Sequence, residues 1–305
     1  MKKFSLAINN FSAPNLARVI VYGAPKTRKT WWAGTAAKTH RVWLLDGENG
    51  ATILNQLPEA YQKNISRIPL GVNPGQASFA TFIKKFAEML PFIWAANKGS
   101  VVLPSQADDQ EDLYIAVDQD KLNSDDVIII DSWTTIVQET VLLYTQLNNL
   151  NILQPKKRDY AFYDFQNQVL DTILSTLNKL PCHVILIGHA YEYEYELEDI
   201  SDNGFRKKSA ATKRKIGIQS CTSKHSQKVP ANFGEVLYFE NKDENTTLIN
   251  TGSSPNREGG CRSIAANVFQ FPGWEWKDFI ASAGILPAKD MKIVEPAFAG
   301  YVKNK

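Results

Sequence analysis

Four short apolar runs punctuate the chain at 18–23, 41–46 (Arg-Val-Trp-Leu-Leu-Asp), 126–131 (Asp-Val-Ile-Ile-Ile-Asp) and 183–188 (His-Val-Ile-Leu-Ile-Gly). Each is continuously apolar and rich in β-branched residues, with none of the alternation a half-exposed strand would show. That is the pattern of central strands in a parallel sheet covered on both faces. Between them the spacing predicts helices over 29–39, 77–97, 133–150 and 159–180. In the last of these, Phe162, Phe165, Val169, Leu170, Ile173, Leu174 and Leu177 recur near the helical period. The alternation predicts an α/β fold, a doubly wound and mostly parallel sheet with helices on both faces.

Further along, the apolar runs 234–240 and 245–251 flank Asn241-Lys242-Asp243-Glu244, which predicts an antiparallel hairpin at the sheet edge. Trp274, Trp276, Phe279 and Ile280 then predict a short helix docking on the core. Two stretches break the regularity. Residues 104–125 carry Asp108, Asp109, Glu111, Asp112, Asp118, Asp120 and Asp125, with Asp126 just beyond, and few core formers, so an exposed acidic insertion is expected. Residues 197–230 are polar and poor in large apolar side chains, which predicts a long mobile loop. The organisation expected is one core over 1–254 and a C-terminal tail over 255–305, without internal repeats.

Composition narrows the class more than it identifies a function. At 305 residues and 44% hydrophobic content, the chain can bury a sizeable core. No apolar stretch approaches the roughly 20 residues needed to span a bilayer. The first ten residues lack a long apolar signal region, and the expectation is a cytoplasmic protein with no membrane partner. Cys182, Cys221 and Cys261 are too widely spaced for a dense disulfide framework or paired zinc ligands. With 34 Lys and Arg against 32 Asp and Glu, a polyanion partner must be argued from local clustering.

The chemistry begins at the end of the first run. Gly23-Ala24-Pro25-Lys26-Thr27-Arg28-Lys29-Thr30 lies between a strand and a helix, the layout of a loop whose backbone N–H groups surround phosphates. Lys29 would reach the β/γ oxygens and Thr30 would hold Mg²⁺. The strict pattern wants Gly directly before the Lys, and Arg28 stands there, to crowd the phosphate or to donate to it. Asp131, at the tip of the third run, is placed to hold Mg²⁺ or, more plainly, to cap the next helix. Glu48, in the turn after the second run, is placed to polarise a water or merely to be a solvated turn acid. His189 ends the fourth run and is read either as a γ-phosphate sensor or as a histidine satisfied by neighbouring loops. Trp31 and Trp32 are expected to pack their helix on the sheet rather than stack on bases.

The ordered set resembles the RecA-type recombinase core, especially the RecA-like nucleotide-binding proteins encoded by bacteriophages. The resemblance spans roughly 16–251 and rests on residues 23–30, Leu-Leu-Asp-Gly-Glu-Asn-Gly at 44–50, Ile-Ile-Ile-Asp-Ser at 128–132, Leu-Ile-Gly-His at 186–189 and Lys-Val-Pro-Ala-Asn-Phe-Gly-Glu-Val at 228–236. It implies a P-loop NTPase fold, ATP with Mg²⁺ as cofactors, Glu48 as catalytic base, and Asp131 as a water-mediated magnesium ligand. It further implies that His189, where recombinases commonly carry Gln, couples the γ-phosphate to a DNA-contacting loop. Such sites usually close between subunits, so the resemblance implies a homo-oligomeric ring or filament.

In the place of that loop stand Arg206, Lys207, Lys208, Lys213, Arg214 and Lys215, with Lys224 and Lys228 beyond, candidates for contacting single-stranded DNA phosphates or simply a solvated charged loop. Lys228 is also a candidate trans-acting finger for a neighbouring subunit's nucleotide. Tyr191, Tyr193 and Tyr195 alternate with Glu192, Glu194 and Glu196, which puts rings on one strand face and acids on the other. The expected function is ATP binding and hydrolysis coupled to single-stranded DNA in recombination, annealing or replication. The alternatives are a hydrolysis-deficient nucleotide- or DNA-binding module, and a motor or loading ATPase with a protein partner.

Overall fold

In the computed structural model the described residues are 16–48, 50–69, 101–105, 113–117, 122–148, 160–200, 206–285 and 298–303. The chain opens with β1 (Arg18–Gly23), α1 (Lys29–Gly34), β2 (Arg41–Asp46), α2 (Glu59–Gln62) and β3 (Ile65–Pro69). It continues with β4 (Val101–Ser105), β5 (Leu113–Val117), β6 (Asp126–Asp131), α3 (Trp133–Leu147) and α4 (Tyr160–Leu177). The second half holds β7 (His183–Ile200), β8 (Arg206–Ile218), α5 (Ser223–Lys228), β9 (Glu235–Asn241), β10 (Thr247–Asn250), β11 (Gly260–Cys261), β12 (Val268–Phe271), α6 (Trp276–Ser282) and β13 (Phe298–Lys303).

The main sheet runs β12-β10-β9-β1-β7-β6-β2-β3, with β11 on β9 and β8 on β7. From β9 to β3 all neighbours are parallel. β10 and β12 add an antiparallel edge. This is the mixed α/β, doubly covered fold expected of a P-loop NTPase, and the four apolar runs are its four central strands. One face buries Trp133, Ile136, Leu170, Ile173, Leu174 and Leu177 from α3 and α4. The other buries Trp32 and Ala33 from α1 and Trp276, Phe279 and Ile280 from α6.

Trp32 anchors that second face. It is fully buried, packs edge-on against Phe239, Trp276 and Phe279, and donates its indole N–H to the carbonyl of Trp274 at 3.1 Å. Packing, rather than base stacking, is therefore its role. The helix expected over 29–39 is shorter: α1 stops at Gly34 and a 3₁₀ turn, Thr35–Lys38, follows. Any side chain on Gly34 would collide with Leu54, and Thr35 donates its hydroxyl to the Trp32 carbonyl at 2.6 Å while accepting from the Trp276 N–H. Such back-bonding bends a helix.

Three expectations need correction. The described residues of 197–230 are not a long loop: most belong to β8 and α5, and β8 pairs antiparallel with the outer half of β7, from Ala190↔Ile218 to Ile200↔Arg206. The acidic 104–125 stretch contains β5, which pairs with β4 and β13 in a second, three-stranded sheet. Asp126, counted with those acids, is fully buried and accepts from Arg41 Nη2 at 2.7 Å and Trp43 Nε1 at 3.0 Å. The predicted 77–97 helix and the acids from Asp108 to Asp112, with Asp118 and Asp120, lie outside the described residues.

On the C-terminal side one expectation holds and one needs correction. The 234–251 hairpin forms as β9 and β10, paired antiparallel on the antiparallel side of the sheet, and β12 extends that edge beyond β10. The boundary at 254 does not separate a tail from the core, since β11 and β12 join the same sheet and Phe271, Trp276 and Phe279 are buried in it. No helix among the described residues is long and apolar enough to cross a membrane. Cys182, Cys221 and Cys261 are free thiols, and burial raises the thiol pKa of Cys182 to about 12.

Candidate active site

The loop between β1 and α1 meets the tips of β2, β6 and β7 at one end of the parallel sheet. Gly23 is required by close approach, since a Cβ there would collide with the Phe239 carbonyl of β9. Beyond it Ala24, Pro25 and Lys26 are exposed, and the Thr27 hydroxyl donates to the Ala24 carbonyl at 2.8 Å to tighten the turn. Lys26 and Arg28 adopt left-handed backbone conformations, φ 63° and 59°. For a residue with a side chain that geometry costs about 1–2 kcal/mol, which explains why glycine is usual directly before the Lys.

The structure decides what the Arg28 side chain does. It turns away from the mouth of the loop and donates to the Glu244 carbonyl and to Thr247 Oγ1, the latter at 3.3 Å. Its guanidinium is thereby tied to the β9–β10 turn. Lys29 does point into the loop, where its ammonium donates to the carbonyls of Gly23 (3.1 Å) and Ala24 (2.7 Å) and to Thr27 Oγ1 (3.3 Å). Burial lowers its pKa to about 8, partly opposed by the charges of Asp131 and Glu48.

Thr30 and Asp131 are brought together from 101 positions apart, the Thr30 hydroxyl donating to Asp131 Oδ2 at 2.6 Å. Asp131 is almost wholly buried. That burial, with Glu48 and Asp46 nearby, raises its pKa to about 6 against the lowering effects of Thr30 and Lys29. Glu48 projects from the turn after β2, and its Oε1 accepts from the Ser132 hydroxyl, from His189 Nε2 at 3.0 Å and from Thr135 Oγ1 at 3.2 Å. The His189 hydrogen bond is the chief reason its pKa falls to about 2 despite partial burial. His189 is fixed in turn by its own N–H, which donates to Thr134 Oγ1 at 2.9 Å. Lys29, Thr30, Asp131, Glu48 and His189 thus form one constellation, and Asp131 is a member of it rather than a helix cap.

Several members were not singled out from sequence. Asp46, fully buried at the tip of β2, accepts from the backbone N–H groups of Gly50 and Ala51 and from Arg67 at 2.7 Å, so it shapes the turn that presents Glu48. Ser132, Thr134 and Thr135 supply the hydroxyls that hold Glu48 and His189. The Ser-Trp-Thr-Thr string directly after the strand-end Asp was the available signal.

The basic residues stand on other elements, β8 and α5. Arg206, Lys207, Lys208 and Lys213 lie on β8 opposite an acidic strand, with Asp199↔Lys207 and Glu198↔Lys208 in register. Arg214 is exposed and paired with Glu194 at 3.1 Å. Lys215 is half-buried, and its charge bears on the Glu258 carboxyl. Tyr193 covers the core and donates to Glu258, whereas Tyr191 is exposed. Lys228 ends α5, exposed, and its charge bears on His225.

With this geometry in place, the family follows. A family model described as an AAA domain matches residues 15–263, most of the chain, and the protein belongs to that family. It is a nucleotide-binding protein of the ATPase class. No curated protein matches the chain.

Proposed function

We propose that the chain hydrolyses ATP with Mg²⁺ at the 23–30 loop. The observation that carries this reading is the hydrogen bond between Thr30 Oγ1 and Asp131 Oδ2, which joins the loop to the strand-end acid. A hydroxyl and a buried carboxylate are hard oxygen donors suited to Mg²⁺, and the pKa of Asp131 is raised first by its burial and then by the charges of Glu48 and Asp46, which a cation there would offset. Among the described residues no group of three or more His, Cys, Asp or Glu could hold a metal. An ion at Thr30 and Asp131 would be held by one or two side chains together with phosphates. Mg²⁺ would neutralise charge on the β/γ oxygens.

The chain's own groups do the rest. Backbone N–H groups of the loop bind the phosphates, and the Lys29 ammonium exchanges its carbonyl partners for the β/γ oxygens. Glu48 orients the attacking water through Oε2, since its three hydrogen-bond donors all meet Oε1. A carboxylate with so low a pKa is a weak proton acceptor. Water orientation, rather than full deprotonation, is its contribution to a loose phosphoryl-transfer transition state. His189, bonded to Glu48, is the group through which a γ-phosphate would be sensed.

The downstream partner is a second question. Single-stranded DNA is supported by the basic residues of β8 and a ring or filament by the resemblance, whereas the acidic register of β7 favours the motor or loading ATPase with a protein partner. The test is phosphate release from ATP by purified protein with Mg²⁺, with and without single-stranded DNA, beside Glu48→Gln. Turnover that needs Mg²⁺ and is lost in the variant supports the site. Normal turnover in the variant would sink it.

A further inference from the structure

The two non-glycine residues with left-handed backbone among the described residues, Lys26 and Arg28, are both held by the turn between β9 and β10. The Arg28 guanidinium donates to the Glu244 carbonyl and to Thr247 Oγ1 at 3.3 Å. Thr247 is fully buried and donates to Asn241 Oδ1 at 3.3 Å. The Asn241 amide reaches back to the Lys26 carbonyl at 3.5 Å. The links close a circuit, from Arg28 through Thr247 and Asn241 to Lys26, which grips the loop on either side of Thr27.

We infer that Arg28, Thr247 and Asn241 form a clamp that holds the phosphate loop in its receptive shape, with a side-chain tie doing what a glycine's free φ would otherwise do. Arg28 is a positioning residue: its side chain contacts the turn, and through it fixes the direction of the backbone N–H groups next to Lys29. A glycine in this place reaches the left-handed region unaided. An arginine does not, and needs something to hold it there. The inference rests on reading residues 23–30 as the nucleotide loop.

The experiment compares wild type, Arg28→Ala, Arg28→Gly, Thr247→Val and the Arg28→Gly/Thr247→Val double variant for equilibrium binding of a fluorescent ATP analogue with Mg²⁺. Arg28→Ala keeps the backbone penalty and loses the tie, so its affinity is expected to fall by about tenfold. Arg28→Gly loses the tie and the penalty together, and should recover most of that loss. Thr247→Val should weaken binding more when Arg28 is present than in the Arg28→Gly background, where only the arm through Asn241 to Lys26 remains to be lost. A merely structural role for Thr247 would give the same effect in both backgrounds, and that result overturns the clamp, as does wild-type affinity in Arg28→Ala.

Trypsin cleavage after Lys26 provides a readout that needs no nucleotide. The Thr247→Val protein, which keeps Lys26, should be cut there faster than wild type. If wild type binds no nucleotide, the reading of the loop fails, and this cleavage rate alone decides the clamp: equal rates overturn it.

Discussion

The 23–30 loop and the acid cluster meet at one end of the sheet, and they are built from different material. In the loop the contacts are made largely by backbone: Gly23 admits β9, carbonyls of Gly23 and Ala24 hold Lys29, and two left-handed residues set the curve. In the acid cluster they are made by side chains, with Ser132, Thr135 and His189 on Glu48 and Arg67 on Asp46. A backbone site depends on conformation, and its weak point is whatever enforces φ. A side-chain site depends on charge, and its weak point is any partner whose loss moves a pKa.

Substitutions should expose that division. Glu48→Gln, which keeps shape and removes charge, is expected to lower turnover by about 10²–10⁴ while leaving nucleotide affinity nearly intact. Single-turnover phosphate release beside equilibrium binding separates the two effects. Equal losses in both would mean that Glu48 belongs to the binding half. Lys29→Ala should act the other way, weakening binding together with a fall in turnover of about 10²–10³. Retained affinity for an ATP analogue in that variant would break the comparison outright.

Packing beneath the loop comes next. Trp32→Ala removes a fully buried indole and its hydrogen bond to Trp274, and should lower stability by about 3–5 kcal/mol in denaturant unfolding. The loop half should suffer first, since α1 continues directly from Lys29 and Thr30. The opposite end of the sheet gives a contrasting test. Burial lowers the pKa of His40 to about 3 and of His183 to about 4. Both are neutral in the fold and bind protons more readily when unfolded. Stability is therefore fully present above about pH 6.5 and is lost as pH falls toward those lower values. Thermal midpoints at pH 7 and pH 5 should differ, and His40→Leu should flatten the difference.

The legible and illegible parts of this molecule divide along the same physical line. β1, β2, β6 and the inner half of β7 are continuous apolar runs because both faces of a parallel sheet are buried, and one-dimensional pattern carries that information directly. The convergence of Glu48, Asp131, Lys29 and Thr30 at one sheet end was legible because parallel strands bring their tips, and the loop after β1, to the same end. β3 was not, since Ile65-Ser66-Arg67-Ile68-Pro69 is a short edge strand with polar interruptions and a proline. β8 read as a loop because its charges hide a strand whose partner, the outer half of β7, is a Tyr/Glu alternation. The Arg28 tie could not be read at all: it joins residues 219 positions apart through a side chain whose direction no local pattern fixes.

The smallest effect is the most informative about the partner. Glu194 and Arg214 form an exposed cross-strand pair, so Glu194→Gln should change stability by only about 0.2–1 kcal/mol. Its effect on a polyanion is larger in kind, because the change removes the charge that occupies Arg214. If β8 is a phosphate-binding face, the variant should bind an oligothymidylate more tightly than wild type. The slope of log affinity against log salt should then steepen by about 0.7 for the freed contact. If neither affinity nor slope moves, the paired charges of this hairpin serve the hairpin itself. The ATPase would then act on something other than single-stranded DNA, with a protein partner the reading that the acidic register of β7 already favours.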